Sequence, residues 1–129
     1  DYCMESLGTD VTPDDLVPDR VACAITASTL IHKADSTFPK VSGTWTMYDI
    51  LEHRPDYARV TDLLPETIVI SPTGIGNPGT NGHVGIALEH GLIASNDSAT
   101  GKFVANYNLD SWKARYRAMG YPTLMYRKK

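Results

Sequence analysis

Two short segments of this chain carry residue types that do chemistry together. One is Val21-Ala22-Cys23-Ala24-Ile25-Thr26-Ala27. The other is Gly82-His83-Val84-Gly85-Ile86. A thiol near a helix start and an imidazole entering a strand are the two halves of a cysteine-nucleophile site. The thiolate is the reactive form, and both a helix N-terminus and a nearby imidazolium stabilise it. Cys23 is therefore expected to have a lowered pKa and to be alkylated below the ordinary thiol range. The competing reading is a small buried hydrophobe, which free cysteine commonly is. The remaining cysteine, Cys3, lies in an irregular lead-in and is expected not to bridge Cys23. His32, His53 and His90 read more simply as surface residues or caps.

A third group must orient the imidazole through its other nitrogen. Ser95, Asn96 and Asp97 stand in a row after a hairpin, with Asn96 13 residues beyond His83. Asn96 is preferred, because its amide oxygen accepts from the ring without adding a buried charge. Asp97 is the runner-up and Ser95 the third choice. All three also read as ordinary turn residues.

The surrounding pattern says how these residues are positioned. Thr12 to Leu16 suits a short helical turn, with Thr12 as cap and Pro13 following. A helix is expected from about Pro18 to Lys33, with Pro18 and Asp19 at its start and Val21, Ala24, Ile25, Ala27, Ser28, Leu30 and Ile31 at helical spacing. A second helix is expected from about Thr44 to His53, with Trp45, Tyr48 and Leu51 on one side, ended by Arg54-Pro55. Thr46 and Asp49 resemble a capping pattern placed slightly later. Thr67 to Ser71 is β-branched and bounded by Pro65 and Pro72, hence a buried strand.

The stretch from Pro72 to Gly82 holds four Gly, two Pro and two Asn and reads as a loop rimming the site. Strands follow at His83–Glu89, Leu92–Ser95 and Phe103–Tyr107, with His90-Gly91 as the first turn. A helix over Asp110–Ala118 and a closing strand over Thr123–Arg127 complete the pattern. Helices first and then an antiparallel sheet predict an α+β fold.

The 129 residues suit one domain, 1–129, of which 1–17 is lead-in. Lys plus Arg is 12 and Asp plus Glu is 15, a net charge of −3, which argues against a dedicated nucleic-acid binder. No apolar run approaches the ~20 residues that span a membrane. The chain begins at Asp1 without Met, as a processed or excised product would. No CxxC, HxxxH or HExxH spacing occurs, so neither a metal nor an organic cofactor is expected. Gly74 to Gly79 lacks the Lys-Ser/Thr of a phosphate loop.

Three segments resemble the NlpC-type and CHAP-type cell-wall hydrolases, which are papain-like. They are the cysteine-bearing helix from Val21 to Ala34, Leu63-Leu64-Pro65-Glu66-Thr67-Ile68-Val69-Ile70, and Gly82-His83-Val84-Gly85-Ile86-Ala87-Leu88. The middle segment resembles that family's Leu-x-Pro-Gly-Asp step before a strand. The similarity runs from about Asp19 to Tyr126. Departures are Ala22 and Ala24 beside the cysteine, Glu66-Thr67 in place of Gly-Asp, and no histidine after His90.

The resemblance implies a papain-like core in which Cys23 attacks an amide carbonyl. His83 is then the base, and a residue of the Ser95–Asp97 group orients it. It further implies a monomeric endopeptidase or amidase acting on a peptidoglycan stem peptide or cross-bridge, in a secreted or phage-particle setting. Two alternatives stand beside it. One is a non-catalytic cell-wall binding module on the same fold, with Trp45, Tyr48, Trp112 and Tyr116 along a groove. The other is a delivered antibacterial toxin countered by an immunity protein.

Overall fold

The computed structural model describes residues 23–72, 82–96 and 102–129. Among these residues, three α-helices and six strands follow in the order α1 (Cys23–Ala34), α2 (Thr44–His53), β1 (Tyr57–Arg59), β2 (Ile68–Ser71), β3 (His83–Ala87), β4 (Leu92–Asn96), β5 (Phe103–Asn108), α3 (Leu109–Ala118) and β6 (Leu124–Lys128). The strands form one antiparallel sheet in the order β1-β6-β2-β3-β4-β5, so the fold is α+β. The expected lead-in, the turn at Thr12–Leu16 and the helix start at Pro18 lie outside the described residues. So do Cys3, the loop from Thr73 to Asn81, and Asp97.

Both faces of the sheet are covered, and strand alternation sorts the side chains between them. Ile68 and Ile70 of β2, and Val84 and Ile86 of β3, pack with Ala24, Ala27, Leu30 and Ile31 of α1 and with Met47 and Leu51 of α2. Val69 and Ile93 turn to the other face, against Trp112 and Tyr116 of α3. The small residues of α1 let that helix lie close on β3 and β4. The loop after α1 is tied down at three points. Ser28 Oγ accepts from the Val41 N–H at 2.9 Å, His32 Nδ1 lies 2.7 Å from the Phe38 carbonyl, and Phe38 is fully buried.

Several expectations shift. α2 turns Met47 and Leu51 inward and leaves Trp45 half exposed, so Trp45 is not on the buried side. Strand β1 has no counterpart in the sequence reading. The closing strand β6 lies between β1 and β2 in the sheet. The turn between β3 and β4 does centre on His90 and Gly91, both with left-handed φ (63° and 76°), and β3 ends at Ala87 rather than Glu89. α3 opens on a capping box. Asn108 Oδ1 accepts from the Ser111 N–H at 2.8 Å, and Ser111 Oγ accepts from the Asn108 N–H at 3.0 Å.

Gly85 fixes how close α3 comes to the sheet. A Cβ there would lie 2.7 Å from Ile93 Cγ2, 2.9 Å from the Ala94 carbonyl oxygen and 3.2 Å from the Trp112 ring. Gly85→Ala is therefore expected to destabilise the fold by about 1–3 kcal/mol, as overpacking does. Thermal unfolding followed by circular dichroism should show the lowered midpoint. An unchanged midpoint would mean that α3 is not seated on β3 in this way.

Candidate active site

β3 starts at His83, and its alternation sends His83 and Gly85 to the α3 face. There the imidazole is layered among aromatic rings. It stacks on Trp112 (centroids 5.3 Å apart, 26° between planes) and on Tyr116 (6.0 Å, 16°), and Tyr107 meets it edge-on at 6.0 Å. Trp112 is held by its own bond, from Nε1 to Ser71 Oγ at 3.0 Å, and Ser71 is the cross-strand neighbour of His83 on β2.

Polar contact with the ring comes from β4. His83 Nε2 lies 2.8 Å from Ser95 Oγ, and Ser95 Oγ donates to Asn106 Oδ1 on β5 at 2.8 Å. Burial pushes the imidazole pKa down to about 4, and the positive charge of Arg115 acts in the same direction. The ring is therefore neutral at pH 7.

Cys23 approaches the same strand start from α1. Its Sγ is 4.0 Å from the Gly82 carbonyl oxygen, and the Val84 N–H also points at the sulfur. These two backbone groups bracket His83 along the chain, but the thiol itself packs with the α1-side core while the imidazole turns to the α3 face, so the contact of Cys23 is with the backbone and not with the ring. Burial raises the thiol pKa to about 11, more than the N–H groups of Val84, Ala24 and Cys23 lower it. The expected low-pKa thiolate is thus not the resting form. The thiol and the imidazole are both neutral, because desolvation outweighs the hydrogen bonds and the helix start.

Of the three residues weighed as orienter, the structure joins Ser95 to His83. The pairing Ile86↔Ala94 puts the odd residues of β3 and β4 on one face, so Ser95 shares a face with His83. Asn96, the preferred choice, is paired with Phe103 of the α1-side core and turns the other way. Asp97 lies outside the described residues. Asn106 was missed by the sequence reading. It is the extra residue of a β-bulge, since Ile93 pairs with Tyr107 while Ala94 pairs with Ala105. A polar residue at an irregular position is a signal that only the strand register makes visible.

His32, His53 and His90 are remote from this cluster in their contacts. His32 binds the Phe38 carbonyl, His53 lies against Asp49, and His90 is in the turn. Trp112 and Tyr116 are core residues at 0% and 4% exposure, so they do not line an open groove. Trp45 and Tyr48 form an adjacent pair on α2, centroids 5.3 Å apart. A cavity of about 410 Å³ between Ala58–Leu64 and Arg127–Lys129 contains none of the candidate residues. Among the described residues no group of three His, Cys, Asp or Glu converges to hold a metal, and no helix is long and apolar enough to cross a membrane.

The neutral pair has a consequence for thiol reactivity. Iodoacetamide alkylation of Cys23 in the native protein should be slow at pH 7 and rise with pH, with its inflection above pH 9. An inflection below pH 8 would mean a resting thiolate–imidazolium pair and would overturn the electrostatics given above. No protein-family model matches the chain, and no curated protein sequence matches it significantly.

Proposed function

We propose that the chain is a papain-like cysteine hydrolase that cleaves an amide bond of peptidoglycan, through Cys23 as nucleophile and His83 as base. The observation that supports this reading is the place of Cys23 at the backbone where β3 starts, next to the residue that carries the imidazole. Cys23 rests against the backbone on both sides of His83, and Ser95 holds the imidazole by Nε2. The orienter in this reading is Ser95 rather than Asn96.

Nε2 is engaged, so Nδ1 is the nitrogen left to take a proton. Both groups are neutral at rest and lie on different faces of β3, so the step requires the ring to turn toward Cys23; the thiol proton then moves to Nδ1 as Sγ attacks the carbonyl carbon, which is general-base catalysis rather than a preformed ion pair. Backbone N–H groups around Cys23, at the start of α1, receive the developing oxyanion. Protonated His83 returns its proton to the leaving amine as the C–N bond breaks. A water molecule, deprotonated by His83, then hydrolyses the thioester. No metal or organic cofactor enters these steps.

The choice of peptidoglycan rests on the resemblance of the three segments to the NlpC-type and CHAP-type hydrolases. One backbone detail supports it. Glu66 has φ 67°, the left-handed conformation that favours glycine, at the step where that family carries Pro-Gly-Asp. The corresponding setting is extracytoplasmic.

Purified sacculi incubated with the protein should release muropeptides bearing new amine ends. Cys23→Ala should release none, His83→Ala roughly a hundredfold less, and Ser95→Ala roughly 10- to 100-fold less. New reducing sugar ends, or activity on casein without activity on sacculi, would overturn the reading. A larger loss from Asn96→Ala than from Ser95→Ala would return the orienting role to Asn96.

A further inference from the structure

The hydrogen bonds at His83 have a direction, and the residue that sets it lies two strands away. Ser95 is 1% exposed and has one hydroxyl proton. That proton is directed to Asn106 Oδ1, which can only accept. The Ser95 oxygen that faces His83 Nε2 at 2.8 Å is then the acceptor of that contact, and Nε2 carries the hydrogen. A neutral imidazole with its hydrogen on Nε2 has its lone pair on Nδ1.

We propose that Asn106 is a positioning residue that selects the Nε2–H tautomer of His83 through Ser95 and so makes Nδ1 the basic nitrogen. Its role as a positioning residue rests on the function proposed above, whereas the tautomer of His83 does not depend on that function. The alternative arrangement is well defined. Without an acceptor at residue 106, the Ser95 proton turns toward Nε2, the imidazole hydrogen moves to Nδ1, and the base is lost to a neutral ring of the wrong polarity. The bulge between Ala105 and Tyr107 aims Asn106 at Ser95. Asn106 itself is exposed, so its replacement removes the acceptor without opening the core.

The test reads the ring directly. In protein with ¹⁵N-labelled histidine, long-range ¹H–¹⁵N correlation near pH 7 assigns the tautomer of His83. Wild type should show the neutral Nε2–H form. Asn106→Ala should shift His83 toward Nδ1–H and, on sacculi, lower kcat about tenfold or more. Asn106→Asp keeps an oxygen acceptor and should retain Nε2–H, with activity restored toward wild type. Circular dichroism of each variant separates these effects from misfolding.

Nε2–H retained in Asn106→Ala would overturn the proposal, and so would Nδ1–H in wild type or in Asn106→Asp. If sacculi are not cleaved even by wild type, the functional reading fails while the tautomer result still decides the role of Asn106.

Discussion

The site depends on the desolvation of one half-buried imidazole. His83 lies against Trp112 and Tyr116, where burial costs a charged ring its hydration and Arg115 repels it. The ring stays neutral for that reason, and a neutral imidazole is the form that accepts a proton. Everything that holds α3 against the sheet also sets this environment. The Asn108–Ser111 capping box starts the helix at the right residue, the Trp112–Ser71 bond fixes the indole, and Gly85 lets that indole approach β3. A helix remote from β3 in sequence therefore sets the basicity of its imidazole.

The thiol is governed by the same force acting on the opposite charge type. Desolvation disfavours the imidazolium and the thiolate alike, so the pair rests uncharged. N–H groups from Val84 and from the first turn of α1 are directed at the sulfur. They offset only part of the cost of burial, so the thiol stays protonated.

Much of this was legible from residue types. The β-branched run at β2, the cysteine helix, the His90–Gly91 turn and the helix around Trp112 and Tyr116 all follow from local pattern. Three features were not. β1 is three residues long and exists because β6 offers it a partner, which is a tertiary cause with no local signature. Ser95 was ranked below Asn96 on acceptor chemistry, whereas strand parity decides the matter, since moving one residue along a strand changes the face. Asn106 depends on a bulge whose register no periodicity reveals. The lowered thiol pKa failed for a different reason. Helix start and imidazole were weighed, but the degree of burial is a property of the packed molecule.

The central claim is that Cys23 bonds covalently to an acyl group while His83 manages the proton. Acid-quenching the protein during turnover of a purified muropeptide, followed by intact-mass and peptide mass spectrometry, tests it most directly. The account requires a thioester adduct on the peptide containing Cys23, absent in His83→Ala. Product formation with no adduct at Cys23, or an adduct on another residue, would contradict it.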